Sequence, residues 1–139
     1  MLHALDISAS ALEAQRVRME VVSNNLANAQ TTRASKGPDG TWSPYRRRQV
    51  VFKALLEGAV GGKAGGVRVD RIAEDPSDFR TVFDPHHPDA DAQGYVKMPN
   101  VDPLMETVDL MEASRAYEAN ITAMEATKAI AASSLRILA

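Results

Sequence analysis

Glycine and proline are placed so unevenly along this 139-residue chain that their absence constrains the fold more than any motif does. All eight glycines and six of the seven prolines lie between residues 34 and 101. Neither residue interrupts the stretch from Met1 to Arg33 or the run from Leu104 to Ala139. Because both residues break regular structure, the chain reads as two uninterrupted helices around an irregular insert.

The terminal stretches carry the matching apolar rhythm. Leu5, Leu12, Met19 and Leu26 stand one heptad apart, with Ala9 and Val22 between them, so the first helix presents a narrow apolar seam. Ser10 and Glu13 have capping-box spacing, a possible second start if the first turn frays. The second helix opens at Asp102 and Pro103, because aspartate accepts a free backbone N–H and proline has none to leave unpaired. Its seam repeats through Leu110, Tyr117, Met124, Ala131 and Leu138, with Ser114, Ile121, Lys128 and Leu135 at the intermediate positions. Glu106, Asp109 and Glu112 near its start and Arg136 near its end suit the helix dipole. Ala116, Ala119, Ala123, Ala126 and Ile130 form a second row, either a face for close backbone approach or simply good helix formers.

In the middle, Tyr45–Phe52 and the Val67–Asp70 alternation read as strands. Phe79–Phe83 and Tyr95–Met98 are shorter extended pieces, KGPDG is a turn, and Gly61–Gly66 a hairpin tip or flexible loop. The expected fold is therefore mainly α with a small β insert. Long N- and C-terminal helices form a coiled-coil-like bundle, and the middle region is Gly/Pro-rich and contains a β-hairpin. The expected division is 1–33 for the N-terminal helix and its exit, 34–101 for the insert, and 102–139 for the C-terminal helix packing on the first.

Net charge is only −2, which gives no reason to expect nucleic acid or an anionic membrane as a partner. Without cysteine, disulfides, thiolate metal sites and cysteine nucleophiles are excluded. No run of 18 apolar residues exists, and the N-terminus lacks the pattern of a secretory signal, so export is expected by another route if it occurs.

Two clusters are candidates for chemistry. His86, His87, Asp89 and Asp91 could suggest a metal-dependent hydrolase, but adjacent histidines rarely aim at one ion, and Pro85 and Pro88 fit a stiff solvated loop. Arg46, Arg47 and Arg48 form the only basic run. In a strand Arg47 points away from its neighbours, which favours a polar edge or ion pairs with nearby acids over a phosphate site. No phosphate loop, GxSxG, HExxH or dinucleotide fingerprint is present, and no catalytic residue, cofactor or metal site is expected. A coiled-coil adaptor or scaffold is the alternative that heptads alone leave open.

The stretch SNNLANA, Ser23, Asn24, Asn25, Leu26, Ala27, Asn28 and Ala29, resembles the N-terminal signature of bacterial flagellar axial proteins, the rod and hook family. PYRRRQVVF at 44–52, GGVRVDRIAEDPSDFRTVFDPHHPDADAQGYVKMPNVDP at 65–103 and MEASRAYEANITAMEATKA at 111–129 are similar, in order, to its proximal-rod branch. Thr31-Thr32-Arg33 replaces the Pro-Gly-Tyr of many relatives and fits that branch. The resemblance implies a non-enzymatic subunit of the basal-body rod. It would be exported unfolded through the flagellar type III apparatus without a cleaved signal, and would stack helically across the periplasm to pass torque from the membrane ring to the hook. Its partners would be copies of itself and other rod proteins. The expected assembly seam is Leu5, Leu12, Met19 and Leu26 against Leu110, Tyr117, Ile121, Met124 and Leu135. The motif asparagines are expected to act as left-handed caps and backbone partners where the first helix ends.

Overall fold

A computed structural model describes residues 2–38, 40–55 and 65–138. Its order is α1 (Leu2–Ala27), β1 (Ser35–Lys36), β2 (Trp42–Ser43), β3 (Arg48–Leu55), β4 (Gly66–Glu74), β5 (Arg80–Phe83), β6 (Tyr95–Met98) and α2 (Pro103–Leu138). The described residues thus form two helices flanking three two-stranded sheets: β1 with β2, β3 with β4, and β5 with β6. The expectation of a mainly helical chain with a small β insert holds. Of the Gly61–Gly66 segment expected as a hairpin tip or flexible loop, 61–64 lie outside the described residues.

α2 starts where its cap chemistry places it. The Asp102 carboxylate accepts the backbone N–H of Leu104 at 2.9 Å, and Pro103 occupies the first helical position. Along its length Thr122, Thr127 and Ser134 return their hydroxyls to the carbonyl four residues back, which keeps these polar groups satisfied inside the helix. Ser10 does not cap α1, which runs unbroken from Leu2. Its hydroxyl donates to the Ile7 carbonyl and accepts the Val67 N–H, so it links α1 to β4 instead.

Two turns among the described residues are set by glycine in the left-handed region. Gly40 (φ 80°) closes the KGPDG turn between β1 and β2. Gly94 (φ 84°) precedes β6, where an added Cβ would meet the Phe83 ring at 3.0 Å and Pro85 at 3.2 Å. β5 and β6 pair antiparallel, Val82 opposite Val96 and Phe83 opposite Tyr95, and the two rings meet edge to face with centroids 5.2 Å apart.

The chain divides into two compact units. The first comprises Met1–Glu20, Val50–Ile72 and Leu110–Ala139; the second comprises Val21–Gln49 and Ala73–Asp109. In the first, Ala14 and Ala113 are buried, and Arg18 reaches Glu112 at 3.6 Å to join the two helices. In the second, Ala29, Tyr45 and Val101 form a buried cluster, and Val21, Val22 and Val96 are also buried. Each unit draws on both helices and on the middle of the chain.

Candidate functional site

The heptad row is half-covered. Leu5, Leu12, Met19, Leu110, Tyr117 and Met124 are partly buried, while Leu26, Ile121 and Leu135 are 37, 36 and 68% exposed. The positions of α1 that are closed to solvent lie elsewhere: Ala14, Val21 and Asn25 are roughly opposite the Leu5–Leu26 row, and Val22 lies between the two. Of the alanine row on α2, Ala116 is partly buried, whereas Ala119, Ala123, Ala126 and Ile130 are exposed. These helices therefore leave large apolar side chains and a smooth small-residue face uncovered.

The best-built constellation lies in the second unit and begins at Asn25. Its helical spacing from Val21 and Val22 carries it onto the buried side of the last turn of α1, where an amide must find partners or cost stability. It finds four. Nδ2 donates to the Arg48 carbonyl at 2.7 Å and to Glu106 Oε2 at 2.9 Å. Oδ1 accepts from the Tyr45 hydroxyl at 3.0 Å and from the Arg48 N–H at 3.0 Å. One side chain thus ties the exit of α1, the first residue of β3 and the opening turn of α2, with its full donor and acceptor capacity used.

Glu106 is also closed to solvent, and its other oxygen takes Arg47 Nε at 2.5 Å. Arg47 extends further, to Asp75 and Asp109 at 3.4 Å each. Its backbone is pinned too: the N–H donates to Asn100 Oδ1 at 2.8 Å, and the carbonyl accepts from the Asp75 N–H at 2.8 Å. Burial works against the Arg47 charge, but hydrogen bonding and attraction to Glu106 and then Asp75 leave its pKa raised. Burial also pushes the Tyr45 hydroxyl upward, so it remains a neutral donor near pH 7. A carboxylate closed to water is tolerable here because a fixed guanidinium and an amide satisfy it.

Asp75 is held below the ordinary carboxylate range, first by the backbone and side chain of Ser77 and then by Arg47. A depressed folded-state pKa stabilises the fold above the unfolded value, and that contribution is lost as pH falls through the folded value. Asp75→Asn is expected to lower stability at pH 7 by about 1 kcal/mol, with the gap to wild type shrinking below about pH 4. Urea unfolding at pH 7 and pH 3 checks this; a gap unchanged between the two would contradict it.

The asparagines of the exit do not adopt left-handed conformations: among the described residues positive φ is confined to glycine. The helix closes with Asn28 N–H bonding to the carbonyls of Asn24 and Asn25, and Asn28 Nδ2 donating to the Asn24 carbonyl at 2.9 Å. Side-chain bonding does what a left-handed cap would otherwise have done. The expected ion pairs of the arginine run are present at Arg47, and Arg46 and Arg48 line a different cleft. The histidine loop is occupied by its own turns. Asp89 binds Arg33 and the Thr32 hydroxyl, which lower its pKa in that order. Asp91 accepts the N–H groups of Gln93 and Tyr95. Among the described residues no three His, Asp or Glu side chains converge as a metal site would require.

The joint of Tyr45, Arg47, Asp75, Asn100 and Glu106 around Asn25 is the feature sequence reasoning missed. The signals were the asparagine motif and the ion pairs expected of the arginine run, neither of which pointed to the other, and Glu106 read as a dipole-compensating acid. The joint holds no free nucleophile or open coordination position; what it can do is fix three chain segments rigidly together.

Comparison with known proteins agrees with a mechanical part. Residues 5–34 match the family model for flagella basal body rod protein, and residues 92–137 match that for the flagellar basal body rod FlgEFG protein C-terminal region. The chain is similar to the flagellar basal-body rod protein FlgC of Bacillus subtilis, with 53% identity covering 97% of this chain and 96% of the relative. The FlgC protein of Salmonella typhimurium is 45% identical, covering 94% and 92%. That of Borreliella burgdorferi is 38% identical, covering 99% and 97%.

Proposed function

We propose a mechanical role on the premise that this chain belongs to the flagellar basal-body rod protein family: it is a structural subunit of the proximal rod, and not an enzyme. The observation that carries this is the similarity to rod proteins over nearly the full length of both chains. A flagellum-independent coiled-coil adaptor finds no support in a likeness that extends through the insert as well as the helices.

The buried joint and the half-covered helices suit such a subunit in different ways. Torque passed through a polymer requires subunits that do not yield, and a saturated network of charged and amide groups at a three-way junction resists deformation. A polymer also requires uncovered apolar surface, which the helices supply. The proposed assembly strip is Leu5, Leu12, Met19 and Leu26 with Leu110, Tyr117, Ile121, Met124 and Leu135, and the two helices close into a coiled-coil-like bundle as copies and other rod proteins stack. The subunit would travel through the flagellar type III apparatus without a cleaved signal and build the periplasmic rod outward from the membrane ring.

The test is complementation of a flagellated strain lacking its own proximal rod protein. Swimming should return, and purified basal bodies should contain the chain at its full 15.0 kDa. Basal bodies that form without the chain would overturn the rod assignment, and a shortened chain within them would overturn uncleaved export.

A further inference from the structure

Arg46 and Arg48 contribute no side chain to the joint. With Arg33, Tyr45 and Phe79 they line a cleft of about 550 Å³ that lies wholly within the second unit, a volume suited to a ligand larger than a simple ion. Arg46 is fixed there: its Nη1 donates to the carbonyls of Asp75 and Ser77 at 2.9 Å each, and its guanidinium lies 4.4 Å from the Phe79 ring centroid. Carbonyls and ring are neutral, so they orient the cation without cancelling it, and among the described residues Nη1 alone of its donors is engaged. The Arg48 guanidinium lies 5.8 Å from the Tyr45 ring centroid, and among the described residues that side chain makes neither a hydrogen bond nor an ion pair.

Charge in the cleft is not balanced from within. Arg33 is matched by Asp89, and Glu74 is the one carboxylate on the lining, so Arg46 and Arg48 face a single anion. Each guanidinium is a planar fork that fits both oxygens of a carboxylate, and an aromatic face behind it supports the fork while leaving its donor edge open. Thr31, Ser35 and Ser43 add neutral hydroxyls to the same lining, partners for the amides of an extended chain. We propose that this cleft binds an acidic peptide, a short segment of another protein whose carboxylates seat on Arg46 and Arg48. The site goes beyond the rod-subunit reading and does not draw on the helical strip. Charge complementarity of this kind selects a partner and fixes its register more than it adds affinity.

The test is isothermal titration of the full chain, at about 20 mM salt, where charge attraction is little screened. The probe is the peptide Ser-Glu-Gly-Glu-Ser, acetylated and amidated at its ends, beside the same peptide with glutamine for both glutamates. The acidic peptide is expected to bind one per chain, the glutamine peptide at least about tenfold more weakly, and the difference should shrink as salt is raised. Arg48→Gln is expected to weaken the acidic peptide about tenfold while melting like wild type, because only the Arg48 backbone enters the joint. Glu74→Gln should strengthen binding severalfold, since it removes the opposing charge from the lining. Arg46→Gln is the weaker probe, because it also frees the Asp75 and Ser77 carbonyls. No binding, equal binding of the two peptides, or full affinity in the Arg48→Gln chain would each overturn the site. Inorganic phosphate binding as tightly as the acidic peptide would overturn the peptide as its occupant. The rod-subunit reading is judged separately, by complementation.

Discussion

Replacing Asn25 by leucine is expected to unfold the second unit, or leave it so weak that no chain reaches the rod. Leucine fits a buried helix position by size and propensity, so the loss comes from the partners left behind. The Tyr45 hydroxyl and one oxygen of Glu106 lose a bond at a buried site, and the Arg48 N–H and carbonyl lose one at a half-buried site. Each stranded group costs roughly 1–3 kcal/mol, and the carboxylate lies at the upper end. Even with relaxation and entry of water, the sum is on the order of 4 kcal/mol or more, against a typical domain stability of about 5–15 kcal/mol. Asn28→Ala is the comparison, since its amide donates to the Asn24 carbonyl one turn back and accepts only a long bond from the Thr31 hydroxyl at 3.2 Å, so that change should cost about 1 kcal/mol. Urea titration followed by circular dichroism, together with immunoblots of purified basal bodies, reads both variants. An Asn25→Leu chain as stable as the Asn28→Ala chain would remove the joint from the account.

What the sequence discloses and what it hides follow from the range of the interactions. The start of α2 was legible because Asp102 and Pro103 act on their own neighbours, and the KGPDG turn for the same reason. β6 was found at its observed limits, Tyr95–Met98. β3 begins at Arg48, later than the expected Tyr45, because the Tyr45 hydroxyl and the Arg47 N–H and carbonyl bond to Asn25, Asn100 and Asp75. β1 and β2, two residues each, carry too little pattern to be seen. The heptad row found the large apolar side chains, whereas the closed positions belong partly to Ala14, Ala113 and an asparagine, which a hydrophobic rhythm passes over. The joint itself was beyond reach: a glutamate, an arginine and an asparagine look like surface residues until the fold assembles them.

Placing aspartate at position 121 is expected to block rod assembly while leaving the isolated chain almost as stable as before. Ile121 is 36% exposed, so in the single subunit the new carboxylate keeps access to water and costs little, within about 1 kcal/mol. In the proposed strip the same carboxylate would be enclosed by apolar neighbours, where an unpaired charge costs several kcal/mol, on the order that separates incorporation from exclusion. Leu12→Asp should act on both levels, because Leu12 is already partly buried within one subunit. The pair therefore separates folding from assembly: Ile121→Asp should keep the wild-type urea midpoint and lose swimming, whereas Leu12→Asp should lose both. If Ile121→Asp cells swim normally, the α2 face at residue 121 lies outside the subunit contact and the proposed strip must be redrawn along the exposed Ala119, Ala123 and Ala126 row.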